Sequence, residues 1–163
     1  MVYVPAEDAI LNEVEARLGN ITTANGYNND FPTIKRARLK PFKGYDLPAA
    51  NYYFATVDTT KDNYGDDEHT MFLIVEAHTK TRDEPFLDLA ISLCADVVIG
   101  LFRATTAPEV TDQVSIALGG TVNKIKYIGH SPFIGEGQDP FCGTLIRFEV
   151  VFKTEIGDMI NYT

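Results

Sequence analysis

From Glu84 to Arg103 the chain reads as a helix whose apolar residues cover far more than an ordinary surface stripe. Phe86, Ala90, Leu93, Val97 and Leu101 form one face, and Leu87, Ile91, Cys94, Val98 and Phe102 widen it. Only Asp88, Ser92, Asp96 and Arg103 share what remains of the circumference. An apolar arc of about 200° exceeds what packing on a single sheet face requires. The helix is therefore expected to pack on a sheet and also against a second helix or another subunit. It does not read as a membrane span, because the apolar stretch Leu87 to Phe102 is too short and carries Asp88 and Asp96.

The remaining periodicities supply the other layers. Ile10, Val14, Leu18 and Ile21 fall on one helical stripe with Leu11 at its edge, which predicts an amphipathic helix over Ala6 to Leu18. Glu7 and Asp8 favour its positive end, and Gly19-Asn20 supplies a stop. Strand patterns follow at Thr33 to Leu39, Tyr52 to Val57 and Met71 to His78. Phe72-Leu73-Ile74-Val75 is apolar on both faces, which predicts a central strand covered on both sides. The polar stretch Asp58 to His69 reads as the loop of an extended antiparallel hairpin, with Gly65, Asp66, Asp67 and Glu68 at its tip. Ala107 to Gly120 is ambiguous, with a short helix through Val110, Val114 and Leu118 as one reading. Strands at Val122 to Ile128 and Thr144 to Lys153 close the chain, joined by a Gly/Pro-rich loop from Gly129 to Gly143. The order α-β-β-β-α-β-β predicts one α+β domain over residues 1–163: a mostly antiparallel sheet of about five strands, with two main helices on one face.

Charge decides what such a domain can grip. Lys plus Arg total 14 against 23 Asp plus Glu, a formal charge of −9. That balance argues against a protein that binds nucleic acid by neutralising phosphates. The bases are nevertheless clustered: Lys35, Arg36, Arg38, Lys40 and Lys43 fall within one acid-free stretch. Such a stretch is either a docking edge for an acidic surface or an edge strand protected by charge. The segment MVYVPAEDAI lacks a basic region followed by an apolar core, so no secretory signal is expected. Cys94 and Cys142 allow at most one disulfide, which suits a reducing compartment.

No catalytic constellation emerges from spacing. His69, His78 and His130 are not in metal-ligand spacing, and Gly135-Glu136-Gly137 lacks the features of a phosphate loop. Cys94 reads as a buried small hydrophobe, and Cys142 as the more exposed thiol, with a Cys142–His130 pair conceivable. The acidic tip Asp66-Asp67-Glu68 lacks the ligand order of a calcium loop and reads as solvated. No metal, cofactor or enzyme activity is expected. A small-molecule-binding or enzymatic reading would need Asp88, Asp96, His130 or Cys142 gathered in one pocket.

The run Ile21-Thr22-Thr23-Ala24-Asn25-Gly26-Tyr27-Asn28-Asn29-Asp30, directly after an amphipathic helix, resembles the tail terminator proteins of tailed bacteriophages. Leu47-Pro48-Ala49 before the second strand, the wide Asp-containing helix and the final strand extend the resemblance over most of the chain. Physically, Asn25-Gly26 tolerates positive φ and reverses the chain, and Tyr27 can then lie against the preceding helix. The loops Asp58 to His69 and Ser131 to Gly143 look long for that family. The resemblance implies a non-enzymatic virion protein of the tail and neck, assembled in the host cytoplasm. It would form a homo-hexameric ring that caps the tail tube protein, stops its polymerisation and presents a surface to head completion or neck proteins. Genomic DNA would pass the acidic lumen without specific binding, and no membrane would be involved. Another neck connector, of the tail-completion or head-closure kind, is the nearest alternative. Candidate assembly residues are Lys35, Arg36, Arg38, Phe54, Asp66, Asp67, Glu68, Asp88, Asp96 and Arg103, with Asn25, Gly26 and Tyr27 as a structural turn.

Overall fold

The structure is a computed structural model that describes residues 5–61, 65–81, 85–103, 118, 120–135 and 141–154. Along the chain run α1 (Ala6–Gly19), β1 (Thr33–Arg36), β2 (Ala49–Lys61), β3 (Asp67–Lys80), α2 (Phe86–Phe102), β4 (Lys124–Gly135) and β5 (Phe141–Thr154). This is the expected α+β order. The five strands lie in the order β1-β2-β3-β5-β4. β1 is parallel to β2 and every other pair is antiparallel, so the sheet is mixed.

β3 is central, as its apolar run predicts, but among the described residues helices cover it on one side only. Met71, Leu73, Val75 and Ala77 are buried, and Val150, Phe148 and Ile146 of β5 lie opposite the first three. The helices pack on that face, joining Ile10, Val14 and Leu18 of α1 with Leu93, Val97 and Leu101 of α2 in one core. On the other face Phe72 and Ile74 are half-buried beside Glu149 and Arg147 of β5. Long side chains on the sheet itself, rather than a second layer, shield this face.

Two expected loops are strands. Asp58 to His69 continues the β2–β3 ladder, with Asp58 paired to Thr70, Thr59 to His69 and Lys61 to Asp67. Its polarity reflects a ladder end where Asp58 to Lys61 of β2 are exposed on both faces, not an absence of strand. The stretch Gly129 to Gly143 likewise belongs largely to β4 and β5, because an edge strand accommodates residues a central one rejects. Pro132 sits on the outermost strand, and a Cβ at Gly143 would lie 2.4 Å from the carbonyl oxygen of Ala77. Conversely, β1 is shorter than expected. Ala37, at φ 48°, takes a left-handed conformation and ends it at Arg36. The segment from Ala107 to Gly120 lies outside the described residues except Leu118, which is buried, and Gly120.

The turn after α1 is held almost entirely by its own polar groups. Thr22 accepts from the Asn25 amide at 3.3 Å, Asp30 accepts from the Thr23 amide at 2.7 Å, and the Asn25 carboxamide donates to the Asn20 carbonyl at 2.9 Å. Gly26 supplies the left-handed residue at φ 84°. Asp96 of α2 then receives the backbone amides of Asn28 at 3.0 Å and Asn29 at 2.8 Å, together with both their side-chain amides. Asp96 is 1% exposed. It was grouped above with surface residues, but its function is to clamp the turn to α2. Tyr27 lies beside Gly100, with the Arg103 guanidinium 5.1 Å from its ring centroid, so its ring packs on α2 where the preceding helix was the expected neighbour.

Burying a carboxyl group is tolerable only when donors surround it, and removing it strands four of them. Asp96→Ala is therefore expected to cost about 2–4 kcal/mol of stability, measured by thermal or urea unfolding. Ser92→Ala, which removes one contact to Asn29, should cost about 1 kcal/mol or less.

Candidate functional site

The basic stretch is only partly available to a partner. Arg36 turns inward along α1, with Nη1 3.2 Å from Asp8, Nη2 2.5 Å from the Asn12 side-chain oxygen and Nε 3.2 Å from the Tyr52 hydroxyl. That hydroxyl in turn donates to Glu15 at 2.5 Å. Burial and the Glu15 hydrogen bond push the Tyr52 hydroxyl up to about 12, so it remains a donor. Arg38 donates to the carbonyls of Lys40 at 2.8 Å and Pro41 at 3.2 Å, pairs with Asp46, and lies over the Phe42 ring at 4.4 Å. Arg36 thus ties β1 to α1, and Arg38 builds the loop after β1. The exposed basic side chains of this region outside any ion pair among the described residues are Lys35, Lys40 and Lys43, beside Leu39 and Tyr45, which are 98% and 77% exposed.

On the uncovered sheet face a small aromatic cavity forms next to this loop. It has a volume of about 200 Å³ and is lined by Arg38, Phe42, Asn51, Glu76, His78 and Phe141. The His78 ring meets Phe42, Phe133 and Phe141 at centroid distances of 5.1, 5.2 and 5.8 Å. Among the described residues neither of its nitrogens has a hydrogen-bond partner. Glu76 Oε2 lies 3.8 Å from His78 Nε2, an ion-pair distance. Together with hydrogen bonds from Asn51 and the Tyr53 hydroxyl, that imidazole holds the Glu76 carboxyl at about 2. Tyr53 is pushed the other way, to about 12, by burial and by Glu76.

Residues that a pocket-based chemistry would need do not converge. A larger polar cleft of about 550 Å³ takes in Asn28, Asn29, Asp30, Thr79, Asp88 and Ser92, so Asp88 alone of the four candidates lines it. Asp96 accepts from Asn28 and Asn29, two residues of that cleft. His130 is on edge strand β4, hydrogen-bonded to Tyr127 at 2.5 Å. Cys142 lies opposite Ile134, four residues along β4 from His130, which is about 13 Å of strand and rules out a thiol–imidazole pair. Cys142 is fully buried, contrary to the exposure expected of it, because the supposed loop is β5. Both thiols are free, and burial pushes each of them up. His69, inside β3 rather than before it, is fixed between the hydroxyls of Thr59 at 2.9 Å and Thr154 at 2.7 Å.

The other candidates are dispersed. Asp66, Asp67 and Glu68 are half-buried at the start of β3, with Glu68 3.9 Å from Lys153, and the described residues contain no metal-binding cluster. Phe54 is 41% exposed on β2 and Arg103 is stacked on Tyr27. Sequence reading missed Arg17, which is 1% exposed and donates to the Leu101 carbonyl at 2.9 Å. Its position three residues from Val14 and four from Ile21, on the apolar stripe, is the signal that could have found it. No helix among the described residues is long and apolar enough to cross a membrane. The chain matches no known protein-family model and no curated protein sequence.

Two outcomes follow from these networks. Glu76 ionises below its ordinary value of 4.5, so its contribution to stability is present above pH 4.5 and is lost as pH falls toward about 2. Glu76→Gln should flatten the stability profile across that window in acid titrations of Tm. Arg36→Glu sets a carboxylate between Asp8 and Glu15 and should cost about 1 kcal/mol in urea unfolding, whereas Lys35→Glu should leave stability within about 0.5 kcal/mol.

Proposed function

We propose that this chain is a virion structural protein, a tail terminator whose ring caps the tail tube, stops its polymerisation and offers the attachment surface for head or neck proteins. The observation that carries this reading is where apolar side chains remain exposed. Leu87, Ile91 and Ile99 run along the outer side of α2, Phe54 lies on β2, and Ile128 and Ile134 lie on edge strand β4. A single subunit leaves them in water, and contact with identical copies and with neighbouring rings would bury them. Asp88, Asp96, His130 and Cys142, the groups a pocket chemistry was expected to use, are not gathered in one pocket, which favours a protein that works by shape. A net charge of −9 suits a conduit through which DNA must slide, because a basic lumen would retain it.

The turn that carries the family resemblance also supports the reading, in a structural capacity. Asn25 and Gly26 form the turn after α1, and Tyr27 packs beside Gly100 of α2 under the Arg103 guanidinium.

Two measurements test the proposal. Native mass spectrometry of the purified chain, alone and with tail tubes, is expected to show a ring of about six copies. Electron microscopy of particles assembled without the protein should show overlong tails. Tails of normal length without heads would instead assign it to a joining role in the neck, and a protein that neither oligomerises nor binds tubes would remove the reading altogether.

A further inference from the structure

The sheet has two open edges, and they complement each other. β1 pairs only with Ala49 to Tyr52, so among the described residues β2 is uncovered from Tyr53 to Lys61. At the opposite side β4 is the outermost strand. β-Bulges interrupt both edges: β2 between Phe54 and Val57, and β4 between Tyr127 and Gly129. Pro132 removes a further donor from β4. Regular open backbone remains at Val57–Lys61 on one side, and on the other at Lys124–Tyr127 and, apart from Pro132, at Gly129–Gly135.

These two segments lie on the same rows of the ladder. Asp58 pairs with Thr70, Thr70 with Val151, and Val151 with Lys124. The neighbouring row runs Val57, Met71, Val150, Ile125. One row therefore ends in an exposed acid and an exposed base, and the next ends in two half-buried aliphatic side chains. Neither Asp58 nor Lys124 has an ion-pair partner among the described residues. Strand direction also matches. β2 and β5 run one way and β3 and β4 the other, so β4 of one copy set beside β2 of the next continues the antiparallel alternation.

We propose that copies of this chain join head to tail by β-strand addition, β4 residues 124–125 of one copy pairing with β2 residues 57–58 of the next, adjoining the β2 bulge, with Lys124 against Asp58 and Ile125 against Val57. This rests on the assembly reading above and specifies its contact. Like charges disfavour the two competing pairings: β4 on β4 would oppose Lys124 and Lys126 to their own copies, and β2 on β2 would oppose Asp58 to itself. The allowed contact is heterologous, and a rotation that closes it gives a ring.

The test is a charge swap in the full-length protein, read by native mass spectrometry and sedimentation. Asp58→Lys alone and Lys124→Glu alone should each weaken self-association about tenfold while circular dichroism and Tm stay those of the parent. An equimolar mixture of the two variants should reassemble, because alternating copies restore an opposite-charge pair at every contact, and only even-numbered rings should then appear. Amide hydrogen exchange at 124–125 and 57–58 should slow on assembly. If the parent protein assembles but both variants assemble equally well, or the mixture fails to recover, the strand pairing is wrong and the assembly reading stands. A parent that stays monomeric at all concentrations, with and without tail tubes, overturns the assembly reading and the pairing with it. Recovery by the mixture in a protein that does not cap tubes would support the pairing and refute the terminator role.

Discussion

A single buried carboxyl group organises the helical layer. Asp96 sits in the middle of α2 on the side facing the turn after α1, and four amide donors from Asn28 and Asn29 converge on it. Two of those donors are backbone groups that would otherwise be orphaned where the chain leaves the turn for β1. The bond set therefore fixes three things at once: the path of the turn, the height of α2 over the sheet, and the direction in which β1 departs. Arg17 performs the converse task from α1, satisfying the Leu101 carbonyl at the open end of α2. Each helix is thus tied to the other by one charged side chain aimed at backbone groups. Among the described residues no helix covers the far face of the sheet.

That asymmetry explains which parts of the fold could be read from sequence. Helices and central strands announce themselves because burial on one side imposes a period, as Ile10, Val14 and Leu18 or Ile146, Phe148 and Val150 do. The distal half of β2 is largely exposed on both faces, and β4, at the edge, is nowhere more than half-buried, so polar residues, glycine and proline are tolerated and the period is weak. Asp58 to His69 and Gly129 to Gly143 accordingly look like loops while forming ladders. Central β3 shows the opposite failure. Phe72 and Ile74 are apolar enough to suggest a second covering layer, yet only neighbouring side chains such as Glu149 and Arg147 attend them. An apolar pattern alone therefore does not reveal whether a second layer or neighbouring side chains shield a face.

The candidate site was legible only in outline. Clustering of Lys35, Arg36, Arg38, Lys40 and Lys43 is plain in the sequence, but sequence distance hides that Asp8, Asn12 and Glu15 on α1 face the same strand. Two of the five charges are consequently absorbed in the subunit's own structure. Asp96 reads as a polar interruption on an apolar helix, and whether such a group points to solvent or into a nest of amides depends on a turn 67 residues away. The Glu76–His78 pair, with Phe42, Phe133 and Phe141 around it, joins β3, β4, β5 and the loop after β1. No local pattern signals a group assembled from so many elements.

Open edges set the final constraint. A five-stranded sheet with a long exposed strand at one side risks indiscriminate pairing, and this chain carries several of the known remedies: bulges on both edges, a proline, and lysines at one end of β4. Those remedies do not close the edges completely. They leave short regular segments, bordered by Phe54 and Tyr127, and they leave them on matching rows at opposite sides of the sheet. A protein designed only to remain solitary has no need for that alignment, since each edge could be blunted independently and with the same charge. Opposite charges on the two edges make sense when pairing with a neighbour is wanted in one orientation and pairing with a mirror arrangement is not. If copies pair as proposed, the bulk acidity of the subunit adds to this selectivity, because general repulsion between copies leaves the specific contact as the favourable approach.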